Sequence, residues 1–152
     1  MDLRKLESGR IEALSELMLK AAAHIPAERT AWRPEGLGRS PQELLAHTAG
    51  ANLAFARLIQ GETELPGEPP QQIKAEARSY QEALQTFQTS AQTLAQAMRI
   101  LPEERFTQEC QMPWGERWKM TRVLSAPSAH IAYHWGQLCY LQTLLGDQED
   151  RH

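Results

Sequence analysis

The feature that most constrains this chain is an apolar stripe running from Ile73 to Leu101. Ile73, Ala77, Tyr80, Leu84, Phe87, Ala91, Leu94, Met98 and Leu101 alternate steps of four and three. Side chains at that spacing share one face of an α-helix. A stripe kept over so many turns belongs to a helix lying nearly parallel or antiparallel to its neighbours in a bundle. Pro102 ends it.

Three further segments carry the same period. From Leu3 to Ala23, the positions Ile11, Leu14, Met18 and Ala21, followed by Ile25, form a stripe; Gly9 weakens its early part and Pro26 follows it. The second helix has the clearest start. Ser40-Pro41-Gln42-Glu43 reads as a capping box with proline at the first helical position. Leu44, Ala51, Phe55 and Leu58 mark its buried side, and Gly61 is a natural stop. The Pro/Gly-rich stretch Leu65–Pro70 reads as a connection. Between Glu103 and Met120 lies a long excursion whose Gln111–Trp118 part reads as turn-bearing, a short hairpin or a lid. The fourth helix, with Leu124, Pro127, Ile131, His134, Leu138, Leu141 and Leu145 on its stripe, starts near Thr121 or near Ser125. The first start puts Pro127 inside the helix, where it loses a hydrogen bond; the second puts it in the first turn. The expectation is an all-α four-helix bundle, one domain over residues 1–152, with the excursion between helices 3 and 4.

A length of 152 residues suffices for one sizeable core. The formal net charge is −3 and the basic residues are scattered, which argues against nucleic-acid binding. No apolar run reaches the roughly 18 residues of a membrane span. The polar start Met1–Glu7 lacks the apolar core of a secretory signal, so the expected location is the cytoplasm. Cys110 and Cys139 form no C-x-x-C pair and suggest no disulfide framework.

The chemistry-bearing residues are histidines. His134 sits on the fourth stripe, and His130 lies one turn before it on the same face. His47, three residues after Leu44 and four before Ala51, faces inward from the second helix. Imidazoles suit zinc, copper, iron and nickel, and an H-x-x-x-H pair plus one ligand from another helix makes a three-ligand face with open positions. A single histidine near a core is more often an ordinary hydrogen-bonded side chain, and H-x-x-x-H alone recurs by chance. Three inward imidazoles without a shared partner, however, would be desolvated for no gain. The pattern alone leaves both readings open. Gln137 shares the face of His130 and His134, placed either to hydrogen-bond a ligand or to be an ordinary surface glutamine. Glu43, one turn before His47, is accounted for by the capping box. Cys139 points away from the histidines, and nothing requires Cys110 to approach them. His24 and His152 are not expected ligands. Trp114 and Trp118 are read as cover for the edge of the core rather than as a pocket wall, and Tyr80 and Tyr133 as packing.

Several of these segments together resemble the DinB/YfiT-like superfamily. They are Ala31-Trp32-Arg33-Pro34, Ser40–His47, His130-Ile131-Ala132-Tyr133-His134-Trp135-Gly136-Gln137-Leu138, and Tyr140-Leu141 through Leu145-Gly146, in order over nearly the whole chain. The resemblance implies a four-helix bundle with one longer crossover, a nickel or zinc site on His47, His130 and His134, and often a homodimer. It also implies, for some members, metal-dependent transfer of a low-molecular-weight thiol (bacillithiol, mycothiol or glutathione), and for one a thiol-dependent isomerisation. The leading expectation is therefore a thiol transferase acting on a small electrophilic substrate. The alternatives are a metal-dependent hydrolase, a non-enzymatic metal-binding stress protein, and a plain bundle without metal. The chain departs from many members in one place: Trp135 stands where they have arginine directly after the last histidine. The role of that arginine is missing here or filled elsewhere.

Overall fold

The computed structural model describes residues 2–35, 38–62 and 73–149. The connection Leu65–Pro70 and His152 lie outside them. Four long helices dominate: α1 (Leu3–Ala22), α2 (Pro41–Gln60), α3 (Tyr80–Arg99) and α4 (Met120–Leu144). A 3₁₀ turn at Ala27–Arg29 follows α1. The excursion consists of a second 3₁₀ turn, Glu103–Thr107, and a two-stranded antiparallel hairpin, β1 (Glu109–Gln111) with β2 (Arg117–Lys119). Cys110 pairs with Trp118 at its centre. Among the described residues, no helix is long and apolar enough to cross a membrane.

The helices form a ring. α1 packs on α3 and α4, and α2 packs on the same two, so α1 faces α2 and α3 faces α4 across the core. The stripes read from the sequence supply that core: Ile11 and Met18, Leu44 and Leu58, Phe87, Leu94 and Met98, and Leu124, Ile131 and Leu138 are all buried. A fully buried side chain such as Phe87 contributes roughly 1.5–3 kcal/mol relative to leaving it exposed.

The start of α2 is as expected. Glu43 N donates to Ser40 Oγ at 3.2 Å and Ser40 N donates to the Glu43 carboxylate at 2.9 Å. Gly61 ends the helix at φ 101°, a left-handed conformation that favours glycine. Replacing Ser40 with alanine removes one of the two bonds at a buried cap. Ser40→Ala is expected to cost about 1 kcal/mol, read as a fall of roughly 2–4 °C in Tm by circular dichroism.

Two boundaries differ from expectation. α3 begins at Tyr80, not Ile73. Residues 73–78 run extended along α2, with Ile73, Ala75 and Ala77 half-buried and Lys74, Glu76 and Arg78 exposed. Ala75 N donates to Ala46 O at 2.8 Å, and Gln42 Nε2 donates to Ala77 O at 3.2 Å. The helix starts only where Ser79 Oγ accepts from Glu82 N. α4 begins at Met120, because β2 leads straight into it and Met120 N donates to Gln108 O at 2.9 Å. Pro127 therefore lies inside the helix with its ring buried, and it has no N–H to give the carbonyl four residues before it.

Candidate metal centre

α2 and α4 pack side by side, and their inward faces bring His47, His130 and His134 together. His47 is 6% and His134 2% exposed, and His130 is half-buried. His130 Nε2 lies 3.2 Å from His47 Nε2 and 3.1 Å from His134 Nε2. One ion held about 2.0–2.1 Å from each nitrogen would set spacings of about 2.8–3.0 Å at right angles and about 3.3–3.4 Å at tetrahedral angles. The observed separations fall between these two.

The outer ring nitrogens decide what the inner ones can do. His47 Nδ1 donates to the Ile73 carbonyl at 2.6 Å. A carbonyl can only accept, so the proton is on Nδ1 and His47 Nε2 presents a bare lone pair. His134 Nδ1 donates to Gln137 Oε1 at 2.7 Å, and Gln137 Nε2 donates to Tyr133 Oη at 3.2 Å. His134 Nε2 is thus also a lone pair. His130 can place at most one proton between two acceptors, and its own Nδ1 is buried without a partner. Three desolvated imidazoles whose inner Nε2 atoms share at most one proton are a set that could hold a cation at their centre.

Burial, more than any neighbouring charge, holds these imidazoles below the ordinary histidine range. His130 is pushed down to about 3 and His134 to about 4. His47 is lowered as well, although its bond to Ile73 opposes the shift. All three are neutral at neutral pH, the state in which imidazole binds metal. Arg39 contributes to the lowering at every one of them, so it is a cation whose field reaches the whole cluster.

Among the described residues, this trio is the group of metal-ligating side chains close enough to hold one ion. A model of the DinB superfamily matches residues 10–138.

The chain belongs to the DinB superfamily.

Crystal structures of two proteins share its fold. The DinB-like protein YjoA of Bacillus subtilis is 19% identical with a TM-score of 0.72, covering 95% of this chain and 94% of the other. A conserved protein of Enterococcus faecalis is 16% identical with a TM-score of 0.77, covering 97% and 99%. No protein with a curated description matches the chain. At such identities, the two likenesses concern fold alone.

The remaining residues of this DinB protein divide plainly. Gln137 contacts the cluster through His134. Glu43 is taken up by Ser40 N and by an ion pair with Arg33. Trp135 packs against the core, and its indole nitrogen is buried without a partner. Cys110 and Cys139 are half-buried, and burial raises the Cys110 thiol above its usual range. His24 is exposed near the end of α1 with its ring against Lys20 O. Tyr80 donates to Ala22 O at 2.8 Å, and burial lifts its phenol above the ordinary range, so it serves packing. Trp114 and Trp118 differ from expectation. They meet edge to face, ring centres 5.4 Å apart, and form the wall of a cavity that reaches His130.

Two contributions could not be found by looking for reactive side chains. One is the Ile73 carbonyl on His47. The other is Gly50, in the middle of α2. A Cβ there would lie 2.6–2.8 Å from backbone atoms of Lys74 and Ala75. Glycine weakens a helix interior by roughly 0.5–1 kcal/mol relative to alanine, and here it lets the extended segment lie close enough for Ile73 to reach His47.

Proposed function

We propose that this DinB protein is a metal-dependent transferase that joins a low-molecular-weight thiol to a small electrophilic substrate. The observation carrying this reading is the convergence of three neutral imidazole lone pairs on one point. His47, His130 and His134 would hold a divalent nickel or zinc ion. When bound, such an ion supplies Lewis acidity that lowers a thiol pKa towards neutrality.

The protein's own groups bind and orient. Ile73 O and Gln137 Oε1 keep the Nδ1 protons of His47 and His134 turned outward, so their Nε2 atoms stay available. Arg39 and Gln137 line a second cavity of about 380 Å³, where a cation suits the carboxylate of an anionic thiol. Arg39 thereby takes the place of the arginine that many relatives carry after the last histidine. In the reaction the thiolate sulfur bonds to the electrophilic carbon, the leaving group departs with the bonding electron pair, and the thiol proton passes to solvent. Hydrolysis would ask for a general base, and the histidine cluster contains no carboxylate. The proposal extends to a homodimer acting in the cytoplasm, for which the exposed row Tyr133, Tyr140 and Leu144 on α4 offers an apolar surface.

The test is a screen of bacillithiol, mycothiol and glutathione against an aromatic halide. Nickel- or zinc-loaded protein is expected to accelerate conjugation with one of the thiols, and stripped protein is not. Metal-loaded protein without rate enhancement for any thiol would overturn the transferase reading and leave a metal-binding protein. Ester or amide turnover without thiol would replace it with a hydrolase.

A further inference from the structure

The cavity beside the metal centre identifies what kind of electrophile fits. It lies between α2, the start of α4 and the hairpin, and encloses about 220 Å³. Phe55 and Leu58 come from α2, Met112, Trp114 and Trp118 from the excursion, and His130 of α4 is part of the lining. Among the described residues, no charged side chain lines it. The indole N–H of Trp118 donates to the Glu116 carboxylate at 2.6 Å, and that of Trp114 is turned to the same carboxylate. The tryptophans therefore present carbon faces inward. Arg122 stacks on Trp118 with its guanidinium carbon 3.8 Å from the ring centre, which braces the wall from another side.

We propose that this cavity is the binding site for an uncharged, compact apolar substrate, aromatic or branched aliphatic, whose reactive atom lies beside His130. This inference rests on the metal-centre reading only for which end of the ligand reacts. Its physical basis is separate. A carboxylate or ammonium placed here would lose its hydration and gain no partner. A cavity of about 150 Å³ accepts a benzene ring, so the larger volume here admits a substituted single ring. Edge-to-face tryptophans favour a flat ligand over a chain. The charged end of the thiol is excluded from this side and has Arg39 in the second cavity, so the two reactants approach the histidines from different directions.

The experiment uses metal-free full-length protein and two single-ring probes that differ only in the group para to the nitro substituent, a methyl in para-nitrotoluene and a carboxylate in para-nitrobenzoate. Binding is followed by heteronuclear NMR on the tryptophan indole N–H signals. para-Nitrotoluene is expected to shift Trp114 and Trp118, with para-nitrobenzoate at least about tenfold weaker because its carboxylate stays unpaired. Ala54→Phe, which fills the cavity from a half-buried position on α2, is expected to weaken the toluene by about tenfold or more. Trp114→Ser, at a more exposed position, is a second variant and is expected to weaken it in the same direction, read at Trp118. Equal binding of the two probes, shifts confined to other tryptophans, or binding unchanged in both variants would overturn the proposal. Titration of the same samples with nickel and zinc separates the outcomes. Metal binding without probe binding defeats the substrate class alone, and probe binding without metal defeats the transferase alone.

Discussion

Purified wild-type protein is expected to carry close to one equivalent of nickel or zinc per chain, and the double variant His130→Ala/His134→Ala to carry none. The two substitutions leave His47 Nε2 as a single nitrogen donor, too few to compete for a hydrated ion. The expected loss of affinity exceeds about 100-fold, since removing even the groups that orient ligands commonly costs 10–100-fold. Stability supplies an independent readout. A ligand present at about 100 times its Kd stabilises the folded state by about 2.7 kcal/mol. Added metal should therefore raise the Tm of stripped wild type by several degrees and leave the variant unmoved. Elemental mass spectrometry and paired melting curves check both. Neither protein taking up metal after reconstitution would leave a helical bundle whose clustered histidines serve another purpose.

Gly50→Ala is expected to lower metal affinity by about 10–100-fold although residue 50 does not touch the histidines. The new methyl would meet the Lys74 backbone at 2.6–2.7 Å, and backbone cannot rotate aside as a side-chain tip can. The segment 73–78 has to move outward, which breaks or stretches the bonds from Ala75 N to Ala46 O and from His47 Nδ1 to Ile73 O. His47 is then free to turn or to change tautomer. Gly9→Ala is the matched control. Gly9 is an exposed position within α1 with open space around its Cβ site, so alanine there is expected to be neutral or to stabilise by up to about 1 kcal/mol. Metal titration of the two variants checks the contrast. Gly50→Ala binding metal as tightly as wild type would show that the Ile73 contact does not orient His47.

The distance between what was legible and what was not is clearest around α3. Its stripe from Tyr80 to Met98 is a helix, but the same rule carried too far back. Ile73 and Ala77 fit the four-residue step, and so they joined the stripe. Ile73-Lys74-Ala75-Glu76-Ala77-Arg78 also alternates apolar and polar, the period of an extended segment. Ser79-Tyr80-Gln81-Glu82 moreover carries the Ser-x-x-Glu start signal that located α2 correctly. Two signals in the sequence thus pointed to Tyr80, and the longer apolar period masked them. Pro127 is a different case. Its place inside α4 follows from the hairpin delivering the chain at Met120, which no local propensity encodes.

By itself, the sequence determined the number and type of the main elements, the cap of α2, and the inward direction of His47, His130 and His134. Each follows from periodicity or from a short-range hydrogen bond, and those act within a turn or two of chain. Only the tertiary structure decided that the three Nε2 atoms meet, that the Ile73 carbonyl and Gln137 hold two of the rings in one tautomer, and that Trp114 and Trp118 face a cavity rather than seal the core. Those depend on α2 packing beside α4 and on an extended segment crossing a glycine. Such contacts join residues distant in sequence, where the spacing of residue types along the chain carries no information about approach.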